Sequence, residues 1–211
     1  VEKNPDILKQ FDLGCADFNR EEDPIKSKPL KSQETGILFA ELCVRLAKSS
    51  TGRVALVVPN GYLGNISAKY LELRRWIVRH AEVVAVVGLP RFTFKGSGAD
   101  VSASIIFLQK RDQPLMAVPK ESSKALAVQL IDNVGWSTGD KKASPTYVRD
   151  ELDGTLVLDE MQEPILLSDF DAALRELADS PAAADFTWLA NMPGRQHEHT
   201  GKGFSVMFQE I

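Results

Sequence analysis

The sequence predicts an α/β fold, with short parallel strands joined by helices, a last antiparallel strand and a helical extension at the carboxyl end. Three observations carry this. Residues 54–58 (VALVV) and 83–87 (VVAVV) are almost purely apolar runs of strand length, as strands buried on both faces are. A helix-period pattern lies between them, and strand, helix, strand at this spacing implies a right-handed parallel crossover. A third apolar run, 102–109, follows a loop of only about ten residues without a helix. A parallel partner needs a longer crossover, so this strand is expected to return antiparallel, as a hairpin partner.

The elements follow in order. Residues 1–33 are polar and irregular, with Pro5, Pro24 and Pro29 and charged runs at 20–23 and 26–31. They read as a long loop with a short helical turn near 7–11. Residues 34–48 form a helix whose apolar face is Leu38, Phe39, Leu42, Cys43 and Leu46, ended by Thr51-Gly52. The strand 53–58 stops at Pro59. A turn rich in Gly and Asn, 59–65, leads into a helix to about His80, with Ile66, Tyr70, Leu73 and Ile77 on one side. The next strand, 82–87, is closed by Gly88-Leu89-Pro90, and the loop 91–100 carries Gly96 and Gly98. Past Arg111 the pattern suggests strands at 126–131 and 155–158, then a helix at 168–178 lined by Phe170, Leu174 and Leu177. Ser168 with Asp171 resembles a capping box there, and Ser180-Pro181 stops the helix. The tail 191–203 reads as loop, before an apolar FSVMF. These segments group as 1–33, 34–111, a β-rich extension at 112–160, and a helix with acidic linker at 161–211.

The chain has 211 residues, 44% hydrophobic and 26% charged, which suits one globular domain plus an extension. It begins with Val, so a fragment or a processed product is expected. No apolar run approaches the roughly 20 residues of a membrane helix, and no signal peptide is visible. Two cysteines, Cys15 and Cys43, make no disulfide framework, and a reducing cytoplasm is the expected location. The net charge of −4 gives no footprint for nucleic acid over the whole chain. Residues 161–211 hold eight acidic and three basic side chains, a charge of −5, which leaves residues 1–160 near +1. A DNA-binding surface would have to be local or supplied by missing parts.

The ordered blocks resemble a known family. RLAKSSTGRVALVVPNGYL resembles the segment of amino-group DNA methyltransferases in which a helix ends, a glycine turns and a strand runs into a proline. AVVGLPRFTFKGSGADVSASIIFLQK resembles their next block, where Leu-Pro, a Phe and a glycine-containing loop precede the final strand. The whole is similar to the modification subunit of type I restriction-modification systems, an N6-adenine DNA methyltransferase. The likeness is good over 34–111 and fainter over 1–33 and 126–142. It implies a partial class I (Rossmann-like) methyltransferase sheet, S-adenosylmethionine as cofactor, and double-stranded DNA with specificity and restriction subunits as partners. The family binds its cofactor through a glycine-rich turn and holds adenine with an Asn-Pro-Pro-aromatic motif. Neither occurs in this chain, and Asn4-Pro5-Asp6-Ile7 is a decoy. The fragment is therefore expected to be inactive alone, since an exocyclic amine is a poor nucleophile without acceptors that localise its lone pair. A sheet lacking its earlier strands would leave 53–58 with an open edge, where a second copy could pair.

The resemblance also nominates residues, each with a plainer reading beside it. Phe94 stands where the family stacks an aromatic on the extruded adenine, or it is loop core, as its neighbour Phe92 could be. Phe39 matches an aromatic lying against the adenine ring of S-adenosylmethionine, or it is helix core. Pro59 and Asn60 sit at the carboxyl end of a parallel strand, where α/β folds place ligands, or they end the strand. Lys95, beside Gly96 and Gly98, could meet a DNA phosphate or belong to a hairpin turn. Lys69, Arg74, Arg75 and Arg79 make one helix side basic, and Arg75 and Arg79 are its DNA-contact candidates against a solvated face. His197 and His199 have the wrong spacing for a helical metal site. Two other functions remain open: a non-catalytic assembly module derived from a methyltransferase, and a methyltransferase acting on protein glutamine.

Overall fold

The computed structural model describes residues 1–16, 28–119, 124–139 and 142–191. The charged run 20–23, the start of that at 26–31, both histidines near the carboxyl end and FSVMF lie outside them. The elements are α1 (Pro5–Leu8), a 3-10 turn (Asp12–Gly14), α2 (Thr35–Leu46), β1 (Arg53–Pro59), α3 (Asn60–Gly64), α4 (Ala68–His80), β2 (Ala81–Gly88), β3 (Ala103–Lys110), β4 (Ala127–Leu130), α5 (Phe170–Ala178), α6 (Ala182–Asp185) and α7 (Thr187–Ala190). The strands form one mixed sheet in the order β1-β3-β2-β4. The chain divides into two compact units, Val1–Val86 with Ser104–Leu126, and Val87–Ala103 with the described residues from Ala127 onward.

In the first unit β3 runs antiparallel to both its neighbours. The Lys110 amide donates to the Gly52 carbonyl (2.8 Å) and the Arg111 amide to that of His80 (3.0 Å), so the end of β3 meets the starts of β1 and β2. The short loop before β3 thus produces the expected reversal, and β3 inserts between the two parallel strands. β1 is not buried on both faces. It is the edge strand, its residues alternate in exposure, and Val57 is 50% exposed. Apolar composition records a taste for strand but not the position in the sheet. β2 is the buried strand, with Ala81, Val84, Ala85 and Val87 inside.

Helix α2 presents a face rotated from the expected one. It buries Ile37, Leu38, Ala40, Glu41 and Val44, while Leu46 and Phe39 are exposed, Phe39 by 62%. Apolar periodicity cannot assign Glu41 to the inside, because its burial depends on partners far away in sequence. Its carboxylate accepts the amides of Asp12 (2.7 Å) and Leu13 (2.8 Å) and pairs with Arg45 (2.9 Å). Asp12 in turn accepts the indole N–H of Trp76 (2.8 Å). His80 stacks on Trp76 at 4.0 Å between centroids. Burial pushes the Glu41 carboxyl above its ordinary value, against the amide bonds of Leu13 and Asp12 and the Arg45 charge.

This knot orders part of what reads as a loose loop. Leu8, Leu13 and Cys15 are buried. Asn4-Pro5 is a helix start: the Asn4 side chain accepts the Asp6 amide (2.9 Å) and Pro5 opens α1. Helix α4 buries Leu73, Trp76 and Ile77, but Ile66 precedes the helix and is 91% exposed.

In the second unit the Ile131 amide donates to the Gly88 carbonyl (2.9 Å), which sets the ends of β4 and β2 side by side. The described residues between 134 and 168 then form short antiparallel bridges, Trp136 with Pro145, Tyr147 with Leu166, Arg149 with Leu156 and Leu158 with Pro164. The expected strand at 155–158 is a limb of this ribbon. Helix α5 buries Ala173 and Leu177, and the capping box does not form. Ser168 offers its oxygen to the Phe170 amide at 3.4 Å, and Asp169 directs its carboxylate to the amides of Asp132 (3.0 Å) and Asn133 (2.7 Å). No helix among the described residues is long and apolar enough to cross a membrane.

Two outcomes follow. Glu41→Ala strands two inner amide donors and should lower unfolding free energy by about 3 kcal/mol, against about 1 kcal/mol for Glu41→Gln, measured by urea unfolding. Burial lowers the pKa of His80 below its ordinary 6.5, although a bond to the Trp76 carbonyl opposes this. The unfolded chain therefore binds the proton first, and stability should decline as pH falls below 6.5 towards the folded value. His80→Gln should flatten that part of the stability profile.

Candidate functional site

The candidate residues fall in both units. In the first, Pro59 ends β1 and Asn60 opens α3, both exposed at the carboxyl end of a sheet strand. Asn60 is not a free loop residue: its Oδ1 accepts the hydroxyl of Ser104 (2.8 Å), a buried side chain of β3. The antiparallel insertion of β3 is what brings Ser104 there. Phe39, exposed on α2, is available for contact and is not core.

The same unit holds a polar cluster. The Glu34 carboxylate binds the Lys69 ammonium and accepts the Tyr70 hydroxyl (2.9 Å). Tyr62 packs on Tyr70 with centroids 5.3 Å apart. Gly36 makes room for it, since a Cβ there would sit 2.4 Å from the Tyr62 hydroxyl oxygen. Burial works against Glu34, but the bonds from Lys69 and Tyr70 hold its carboxyl below its ordinary value. Burial, then the Glu34 charge, pushes the Tyr62 phenol up to about 12. Only the acid directly before a helix, with two tyrosines downstream, hints at this in the sequence.

The basic side of α4 is engaged within the chain. Lys69 meets Glu34, Arg74 donates to the carbonyls of Tyr62 (3.0 Å) and Asn65 (2.9 Å), Arg75 pairs with Glu72 (2.7 Å), and Arg79 donates to the Leu115 carbonyl (2.8 Å). Arg75 is exposed and Arg79 half-buried.

The second unit holds the loop after Pro90. Phe94 is half-buried and precedes a 3-10 turn (Lys95–Ser97) that Gly98 closes at φ +85°. Phe92 is also half-buried, with φ +67°, and its ring lies under the guanidinium of Arg91 (4.5 Å) and the ammonium of Lys95 (4.8 Å). Neither ring belongs to the buried core. Lys95 donates to the Gly139 carbonyl (2.9 Å), so it is part of a turn with a tertiary anchor. The structure therefore joins Phe94 with Lys95 in one loop, and Pro59 with Asn60 at one strand end. No cluster of metal-ligating side chains occurs among the described residues.

Residues 10–144, which run from the 3-10 turn through all four strands, match the N-6 DNA methylase family model. The chain belongs to the N-6 DNA methylase family. Among solved structures it is similar to a chain of a type I restriction-modification (R-M) system, studied for complex assembly and conformational transition (30% identity, TM-score 0.35, covering 39% of this chain and 17% of that one). It is similar to a Listeria monocytogenes protein assigned as a class I S-adenosylmethionine-dependent methyltransferase (25% identity, TM-score 0.39, 61% of this chain and 33% of that one). It is also similar to a Vibrio vulnificus protein assigned as a modification subunit of a type I restriction enzyme (17% identity, TM-score 0.42, 79% and 34%). The chain spans between 17% and 34% of the length of these relatives. No curated protein matches it.

The Tyr62 cluster is open to titration. One tyrosine should ionise only near 12, followed at the tyrosinate absorption band, and Glu34→Gln should shift it part of the way towards 10.0. Because the folded state keeps this proton longer, stability should be unaffected below 10.0 and should fall as pH rises towards about 12.

Proposed function

We propose that this chain is the target-base portion of a site-specific DNA methyltransferase in a type I-like restriction-modification system, which methylates adenine at N6. The observation that carries this reading is the N-6 DNA methylase match across residues 10–144, which includes both the strand ending in Pro59 and the loop bearing Phe94. An enzyme that modifies a base must take it out of the stack and hold it against apolar or aromatic surface. Phe94, half-buried on a braced loop of the second unit, offers such a face, and Pro59 and Asn60, at a strand end of the first unit, are proposed as further base contacts, each on its own account.

The chain's fit to S-adenosylmethionine is limited to one element. Phe39 exposes an aromatic ring that can lie against the adenosine moiety, but the glycine-rich turn and the Asn-Pro-Pro-aromatic motif are not in this sequence. When bound, the cofactor supplies an electrophilic methyl group. The residues of this chain position the base rather than activate its amine, and the chain alone is expected to be inactive. Lys95, Arg75 and Arg79 are proposed to meet DNA phosphates, Lys95 while keeping its bond to the Gly139 carbonyl and Arg75 by exchanging Glu72. Such contacts would weaken with salt. The proposed partners are double-stranded DNA, specificity and restriction subunits, and a second copy at the open edge of β1, all in the cytoplasm.

The test uses the whole gene product that contains this chain, with S-adenosylmethionine and unmethylated genomic DNA, and reads N6-methyladenine by mass spectrometry. Methylated adenine supports the proposal. Methyl groups found only on protein glutamine, or none on DNA, would overturn it. Phe94→Ala should slow transfer by roughly 5- to 150-fold, the equivalent of about 1–3 kcal/mol for one lost base-aromatic stack.

A further inference from the structure

We propose that Trp136 is a positioning residue for the target base: it braces the loop that carries Phe94 without touching the base. This rests on the reading of Phe94 given above.

The loop has a conformation that its own sequence does not favour. Phe92 is a bulky residue at φ +67°, in the left-handed region that suits glycine, and such strain persists only where surroundings over-determine it. The surroundings are a second segment of the same unit. The Trp136 indole N–H donates to the Thr93 carbonyl (3.0 Å), midway between Phe92 and Phe94. Two residues on, Lys95 reaches the Gly139 carbonyl (2.9 Å). Just past those anchors the two segments come close, since a Cβ on Gly96 would stand 3.1 Å from that of Ala143. The bracing segment is itself fastened: the Ser137 amide donates to the Ser144 carbonyl (2.8 Å) and the Thr146 amide to that of Gly135 (3.0 Å). Thr93, buried between them, turns its hydroxyl back to the Pro90 carbonyl (2.6 Å).

Phe92 and Phe94 flank the one carbonyl that Trp136 holds. Releasing it lets the Phe92 backbone relax out of the left-handed region, and a changed φ at 92 redirects the chain just before Phe94. A functional side chain must be held within about 0.5 Å and 10–20° of its productive placement to act fully. Trp136 thus acts through Phe94.

The experiment uses the whole gene product with unmethylated genomic DNA, and compares Trp136→Phe, which removes the N–H but keeps an aromatic ring, with Phe94→Ala and the double variant. Trp136→Phe should lower kcat on the order of five-fold, the effect of one neutral hydrogen bond, with KM for S-adenosylmethionine unchanged. The double variant should be no slower than Phe94→Ala, because both changes act on one ring. Trypsin should cut after Lys95 several-fold faster in Trp136→Phe. If Trp136→Phe does not fold, Gly96→Ala presses the loop off Ala143 without altering Trp136 and should lower kcat in the same way. A wild-type kcat in these variants, where Phe94→Ala is slow, overturns the role of Trp136 and leaves the function standing. Additive losses in the double variant overturn it too. A wild-type kcat in Phe94→Ala overturns the base-stacking reading and this inference with it.

Discussion

A carboxylate with no exposed surface, that of Glu41, ties the first unit together. It ends the unpaired state of two amides at Asp12 and Leu13, and Asp12 then receives Trp76 from α4. Three separate parts of the chain, the N-terminal turn, α2 and α4, are joined through two carboxylates, Glu41 and Asp12. A buried ion is stabilising only when its remaining lone pairs are satisfied, and here two amides and Arg45 do so. The rotation of α2 that places Glu41 inside also turns Phe39 out to solvent, where it can serve a ligand. One electrostatic constraint therefore decides both packing and the exposure of a candidate contact residue.

The second constraint is topological. Since β3 returns antiparallel between β1 and β2, its buried Ser104 stands beside the residue that follows β1. The inserted strand thereby also fixes Asn60. The loop that feeds β3 must cover the reversal in few residues, and it does so with left-handed conformations at Phe92 and Gly98. A glycine adopts this cheaply and a phenylalanine does not, so the loop depends on anchors from elsewhere in its unit.

Much of the fold was legible in the sequence because its signals are local. Strand composition, helix period and the length of the loop before β3 gave the α/β class and the antiparallel return of β3. The misses are contacts between distant residues. Glu41 looks like a surface acid until Asp12 and Leu13 are seen. VALVV looks central until its place in the sheet is known. Ser168 and Asp171 have capping-box spacing, but Asp169 takes the backbone of 132–133 as its partner instead. Of the candidate site, the Leu-Pro and glycine signals located the loop and its aromatics. The brace was invisible, since Trp136 lies 43 residues from Thr93 and nothing near it announces a partner.

The central claim is that these residues form the base-holding part of an N-6 DNA methylase and not its methyl-donor site. Calorimetric titration of this chain with S-adenosylmethionine tests that most directly. The account predicts no measurable heat of binding up to millimolar ligand, because Phe39 is the one cofactor contact proposed among the described residues. Saturable binding in the micromolar range would contradict it, and would mean that the donor site is built from the residues described above.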